Sequence, residues 1–544
     1  MKYLVLGLLF VSAYPIFSQG NNISGNIESN VQFLTPDTII GAFAPKEKLV
    51  INSFMNVHYA TQKFRAGARF ESYLPAIAGY PGFYSGSGIG YRYAKYTGND
   101  LTITLGNFYE QFGSGMILRA YEESALGLDN SFDGINVSFV PRNGIKLKAL
   151  VGRQRYRFTE GKVEKSDGIV RGFDGMLNLN KLIPKLSESK LKINIGGNFV
   201  SRYQATTDTT PPNVMAYGGR FDLYYKRFTF NAEYIFKDKD PNFQNGFAYN
   251  TGHGAVVNLG YSKKGFGVIL VARSMDNMIF RSDKKVLGNQ LLINYIPATT
   301  NTHTYNLAGT LYPYAANAGG EVAYQLDVLY KIPKKTKLGG KYGTDLHLNV
   351  SVATDHVKHT TGINTIETGQ TYKGIPFDMR DSLFNFDFNV HYSRKFSKKI
   401  KASVHYYHFV FNNKVNPISL IEKGFIKSDV GIIDFQYKIN RHHSIRAELQ
   451  TLITKEDRGN WSTAVLEYTI SPKWFFSVQD QYNYGNPDEK LQLHYLLGAF
   501  GYIHNTARFI FSYGKQRAGI VCIGGVCRLV PATNGVTFTL TQSF

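Results

Sequence analysis

The sequence predicts an all-β protein: a transmembrane antiparallel β-barrel of about 26 strands (range roughly 22–26), with no separate plug domain. Three observations carry this. Apolar and polar residues alternate at period two through most of the chain. The connections between alternating segments are short at one end and longer and more polar at the other. Beyond the first residues, no run of about eighteen or more apolar residues offers a membrane helix.

The chain opens with one Lys and an apolar run too short to span comfortably, ending near Ser18 and Gln19. That is the form of a secretory signal peptide, expected over residues 1–18, with the barrel over 19–544. No Cys stands at the junction to accept a lipid. The composition fits strands and tight turns: Tyr 37, Phe 39 and Gly 53 against Pro 18 and Trp 2. Mean hydropathy is only −0.22, because every second residue of such a strand avoids lipid. The formal net charge is +21. In an exported protein this points to anionic lipid head groups, or to anionic solutes in a pore, rather than to nucleic acid.

Individual segments show the alternation. Phe384, Phe386, Phe388, Val390 and Tyr392 interleave with Asn385, Asp387, Asn389 and His391. Leu346, Leu348, Val350 and Val352 interleave with Asp345, His347, Asn349 and Ser351, and Leu191, Ile193, Ile195 and Phe199 stand opposite Lys192, Asn194 and Asn198. Strands put each set on one face. A soluble sandwich would alternate too, so turn length is the better discriminator.

The expected short turns are Thr61-Gln62, Thr97-Gly98, Pro141 to Gly144, Leu182 to Glu188, Lys226, Lys263-Lys264, Ala298 to Asn301, Pro333 to Gly340, Ser397-Lys398, Arg441-His442, Ser471-Pro472 and Ile503-His504. The weakest strands are the opening one, Ile23 to Phe33, and Leu287 to Ile296.

One stretch leaves the rhythm. Residues 110–131 mix charges with three glycines and have no period-two pattern, longer than a turn requires. Met116, Ile117, Leu118, Tyr121 and Leu126 call for burial, so the stretch reads as a lumenal loop or as a mobile surface loop. As a lumenal constriction it would offer Arg119, Glu122, Glu123 and Asp129 to charges on the wet faces of strands. Near the end of the chain, Cys522 and Cys527 flank Gly524-Gly525. In an oxidising compartment they read as a small disulfide pinning a loop.

The final strand has Val536, Phe538, Leu540 and Phe544 on one face, and Thr537, Thr539, Thr541 and Ser543 on the other. It resembles the closing strand of bacterial outer-membrane barrels, in which Phe538, Leu540 and Phe544 would form the insertion signal read by the barrel-assembly machinery. Together with the Gly-Ser-Gly, Arg-Ala-Tyr-Glu-Glu and Leu-Asp-Asn run of 113–130, the chain resembles large outer-membrane barrels of Bacteroidota of unassigned function. That resemblance implies an outer-membrane location, with lipid and lipopolysaccharide around the barrel, and carries no site residues.

No nucleophile elbow, phosphate loop or His-Glu-x-x-His pattern appears, and His347 and His391 beside Asp345 and Asp387 read as lumenal filling. The expectation is therefore no enzyme, no metal and no cofactor. The functional reading is a pore or transport channel for unidentified solutes. The alternative is a non-catalytic accessory barrel of a protein export or assembly complex, with an envelope protein as partner.

Overall fold

The computed structural model describes residues 22–207, 209–360, 372–415, 424–523 and 526–544. The signal-peptide reading lies outside these residues. Among them the chain forms β1 Ile23–Leu34, β2 Leu49–Ala60, β3 Phe64–Tyr73, β4 Gly86–Thr97, β5 Leu101–Phe108, β6 Phe132–Arg142, β7 Ile145–Thr159 and β8 Ile169–Asn178. Then come β9 Leu191–Tyr203, β10 Asn213–Tyr225, β11 Phe228–Lys237, β12 Gly252–Lys263, β13 Phe266–Asp276, β14 Gly320–Ile332, β15 Thr344–Thr360 and β16 Tyr372–Lys395. The last third of the ring is β17 Ile400–Asn412, β18 Phe425–Lys438, β19 His443–Ile453, β20 Trp461–Ile470, β21 Trp474–Tyr482, β22 His494–His504, β23 Ala507–Gln516 and β24 Thr533–Ser543.

Each strand pairs antiparallel with the next, and β24 pairs with β1, Val31 facing Phe538 and Ile27 facing Gln542. The sheet has 25 strands, but Lys162–Lys165 pairs only with the tip of β7, which leaves a closed ring of 24. Among the described residues, closure leaves the ring with no edge strand: every one of its strands has a neighbour on both sides.

The count of 24 lies inside the expected range but below 26, and the reason is local. The opening strand forms. Leu287 to Ile296 does not join the ring, and Ala298 to Asn301 is not a turn between neighbours. Both fall within residues 277–319, a single connection between β13 and β14. The other expected short turns join adjacent strands at one end of the barrel, the short-turn end, except that Ile503-His504 still belongs to β22 and the turn falls two residues later, at 505–506.

The faces are inverted relative to a soluble protein. Along β19, Leu449 is 58% exposed, whereas its neighbours Glu448 and Gln450 are about 5% and 4% exposed. Leu466, Val478, Leu496 and Ile433 lie on the same outward belt. Inward positions carry Asn198, Glu233, Asp327, Asn349, Asp387 and Asp434. Apolar groups exposed over a whole ring while carboxylates are buried make sense only where the outside is hydrocarbon. At the short-turn end, aromatic rings form a band: Phe228 against Tyr261 at 4.9 Å, Tyr261 against Phe266 at 6.2 Å, Trp474 against Tyr502 at 4.4 Å and Phe64 against Tyr96 at 5.1 Å. Such girdles mark membrane-water boundaries, where a ring is half wet.

Phe384 departs from its expected face. The register between β15 and β16 slips between Ala353 and Thr354, so that Phe384 is an extra residue. This bulge turns its ring inward against Ala323 and Ala353. From Asn385 onward the alternation is as read, with Phe386 and Phe388 edge-on to outward His408 and Tyr406.

Replacing outward Leu466 with Lys is expected to cost about 2–4 kcal/mol for the barrel in lipid. Lys at inward Gln479 on the adjoining strand should cost far less. Denaturant titration of vesicle-refolded protein reads both; equal costs would contradict the assignment of faces.

Candidate functional site

Among the described residues, two long segments enter the lumen. Residues 109–131, between β5 and β6, put Phe112, Met116, Ile117 and Leu118 against inward Leu150, Val170, Val200, Val214 and Ile235. These wall residues alternate with outward Phe199, Met215, Tyr217 and Tyr234, which establishes the inward direction. Residues 277–319 follow the same wall with Met278, Phe280 and Ile293, and then cross the lumen. Their second half forms the short helix α1, Asn306–Thr310, and buries Leu307 and Ala308 against Tyr407, Phe409, Val430, Ile432, Leu452 and Trp461 on the opposite wall.

The two segments hold each other by backbone. The Arg119 amide donates to the Ile293 carbonyl (2.8 Å) and the Tyr295 amide to the Gly115 carbonyl (3.0 Å). Asn130 Nδ2 and Gln154 Nε2 both donate to the Leu292 carbonyl, at 3.0 and 2.8 Å. A wall carboxylate and a wall lysine complete the attachment: Glu233 accepts from the Ser114 amide at 2.8 Å, and Lys148 pairs with Glu110 of the segment at 2.7 Å.

A buried charge cluster anchors the end of the first segment. Arg69 donates through Nε to Glu71 (2.8 Å), through Nη1 to Glu122 (2.6 Å) and through Nη2 to Asp129. Arg155 holds Glu71 with both terminal nitrogens, each at 2.7 Å, and reaches Asp129 at 3.0 Å. Burial opposes the charge on Asp129, but Arg155 and Arg69 offset it and hold the carboxyl below the usual carboxylate range. Burial pushes the Glu122 carboxyl up, and its share of Arg69 only partly opposes this. Two carboxylates compete for one guanidinium, and Asp129 has the second arginine.

The four residues singled out in this loop therefore have different surroundings. Asp129 and Glu122 meet wall cations. The Arg119 guanidinium lies over the rings of Tyr295 (3.9 Å) and Tyr121 (4.8 Å) instead of pairing with a wall carboxylate. Glu123 pairs by backbone with Leu128 in the two-rung ladder that also joins Glu122 to Asp129, and makes no ion pair among the described residues. The wall partners Arg69 and Glu71 had a legible signal, opposite charges two apart on one strand face. Arg155, distant in sequence, had none.

On the far wall polar contacts accompany the apolar one around Leu307. Asp387 accepts from Thr300 Oγ1 and meets His303 Nε2, both at 2.6 Å. Asn301 donates to Asp327 (3.2 Å), Tyr305 contacts His405 (3.1 Å), and the Leu307 amide donates to Gln450 (3.0 Å). A recess remains between Thr300, His303, Tyr314, Asn385, Asp387 and Phe409. His347 pairs with Asp327 at 2.8 Å rather than with Asp345, which meets Lys331 at the rim. His391 packs its ring against His347 and His405. Among the described residues no three His, Cys, Asp or Glu side chains are placed to hold a metal ion.

The cysteines lie in a hairpin, Gly519–Ile523 with Val526–Val530, whose register sets Cys522 opposite Cys527. Their side chains lie outside the described residues. Phe538 faces Val31 across the closing seam, Leu540 faces Ser29, and the Phe544 backbone exchanges hydrogen bonds with Gly25.

Asp129→Asn leaves two buried guanidiniums short of a partner and should cost about 3–5 kcal/mol. Glu122→Gln should be neutral or slightly stabilising at neutral pH, since it removes a charge that burial disfavours. Because the folded Asp129 value is depressed, its contribution is complete above its ordinary value of 3.8 and is lost as pH falls below that. Unfolding of the two variants across pH 3 to 7 (roughly the range where carboxylates titrate) checks the contrast; equal losses would contradict it.

Among solved structures, the chain is similar to the siderophore receptor PirA from Acinetobacter baumannii, at 10% identity over 97% of this chain and 81% of that chain, with a TM-score of 0.44. It is similar to the outer membrane protein OpdK from Pseudomonas aeruginosa, at 11% identity over 84% and 99%, with a TM-score of 0.36. The FrpB iron transporter from Neisseria meningitidis gives 9% identity over 96% and 83%, with a TM-score of 0.37. No curated protein matches the sequence. The family of unknown function DUF6029 matches residues 1–544, and the chain belongs to that family.

Proposed function

We propose that this protein is an integral outer-membrane barrel that passes small solutes through a lumen narrowed by residues 109–131 and 277–319. The observation that carries the reading is the closed ring of 24 strands with an apolar outside and a charged inside. A ring this wide encloses more space than wall side chains can fill, so it holds either water or chain. Here chain fills part, and the recess beside His303 and Asp387 leaves polar space along the second segment. In this reading the short-turn end faces the periplasm, the long loops face outward with lipopolysaccharide around them, and residues 1–18 are the export signal. The barrel-assembly machinery would insert the chain by its last strand, with Phe538, Leu540 and Phe544 as the signal. No catalytic step is assigned.

The second reading is a non-catalytic accessory barrel of an export or assembly complex, bound to an envelope protein. It is favoured by one observation: residues 277–319 are packed on both walls, as a permanent filling would be.

Planar-bilayer recording separates the two. Wild-type protein should give small discrete steps, and replacing residues 298–316 by a short Gly-Ser linker should enlarge them several-fold. Silence from both, with heat-modifiable barrels confirmed on gels, would remove the channel reading and leave the accessory one.

A further inference from the structure

A second recess lies at the long-loop end, apart from the space beside His303. Phe83, Tyr84, Tyr156, Leu126 and Leu128 give it ring and aliphatic walls, Arg528 lines it as well, and its cavity volume is about 130 Å³. Four connections and the end of β7 build it: the connection before β4, the end of the first lumenal segment, residues 289–291 of the second, the hairpin before β24, and Arg155 and Tyr156 of β7.

The charges around it are unequal in their satisfaction. Asp129 reaches the recess, but Arg69 and Arg155 already hold its carboxylate. Arg157 lies over Tyr156 at 4.4 Å and Phe83 at 5.5 Å, stiffening that wall. The Arg528 guanidinium lies over the Tyr80 ring at 5.1 Å. Among the described residues its Nε and Nη1 have no hydrogen-bond partner, and no carboxylate is ion-paired with it. A partly desolvated guanidinium without an acceptor is costly, and an incoming carboxylate can take two of its N–H groups in parallel. Aromatic walls favour a ring placed edge-on or offset between them.

We propose that this recess binds amphipathic organic monoanions, the apolar or aromatic body lying among Phe83, Tyr84, Tyr156 and Leu128 and the carboxylate on Arg528. Cationic ligands are disfavoured, since the one carboxylate present is already engaged. The proposal goes beyond passage of solutes and does not depend on it, because occupancy is read without conduction.

The test is calorimetric titration of the detergent-folded full chain with naphthoate and with its neutral analogue naphthalenemethanol. Naphthoate should bind one per chain. Arg528→Gln should weaken it by about tenfold or more, as expected for a charge-assisted hydrogen-bonded pair, and should leave the neutral analogue nearly unchanged. Arg528→Lys should keep part of the affinity. Gln290→Trp, which places a bulky ring at the recess wall, should weaken both ligands. Heat-modifiable mobility confirms folding. Should Arg528→Gln misfold, the salt dependence of wild-type binding decides instead: added salt should weaken naphthoate and spare the alcohol. Absence of naphthoate binding, binding indifferent to both substitutions, or loss in Gln290→Trp without loss in Arg528→Gln would each overturn the proposal. Bound naphthoate with wild-type protein and linker variant both silent in the bilayer would remove the channel reading and leave this one standing.

Discussion

The pairing of β1 with β24 is the constraint on which the rest depends. Inside hydrocarbon an unpaired peptide group has no water to turn to, so a sheet exposed to lipid must have no edge. Residues 26–34 meet 535–543 in continuous register and close the ring. Once the ring is closed, side-chain direction follows from backbone parity alone, and one face of every strand belongs to lipid and the other to the lumen. The exposed Leu449 between buried Glu448 and Gln450 is that parity expressed in three residues.

Closure also creates a problem that the chain then solves with its own residues. A ring of this circumference leaves an interior that side chains alone cannot fill. Residues 109–131 and 277–319 enter it, and the wall is adapted to them. Where the first segment and the start of the second pack, the inward positions are Val200, Val214, Ala216, Ile235 and Met275 instead of polar residues. Where the second segment crosses, it combines an apolar contact around Leu307 with hydrogen bonds to Asp387, Asp327 and Gln450. The Arg69, Glu71, Asp129 and Arg155 cluster fixes the end of the first segment. Breaking such a buried network by one member is costly, although its assembly is weakly favourable at best.

Much of the ring was legible because period-two alternation and turn chemistry are local properties. Ser471-Pro472, Ser397-Lys398 and Lys263-Lys264 announce turns whatever the strands on either side do. Residues 277–319 were misread because Leu287, Leu291, Ile293 and Ile296 are as apolar as a strand requires, and the wall that buries Ile293 is invisible in the sequence. The signal available was on that wall, where inward positions of β9, β10 and β11 are unexpectedly apolar. Phe384 escaped for a similar reason, since a bulge is a pairing property and shifts parity without altering composition. In residues 110–131 the need for burial was readable from Met116 to Leu118, whereas the partners of Asp129 come from strands far apart in sequence.

The most direct test of the account is a disulfide across the closing seam. With Cys522 and Cys527 replaced by Ser, Val31→Cys with Phe538→Cys joins residues that face each other between β1 and β24. Phe511→Cys with Phe538→Cys joins residues facing across β23 and β24, and serves as the hairpin control. Oxidation of the folded protein should cross-link both pairs, each giving a distinct mobility on unfolding gels. Cross-linking of the control without the seam pair would mean that the ring is open, and the inward and outward faces, the lumen and its two segments would have to be reassigned.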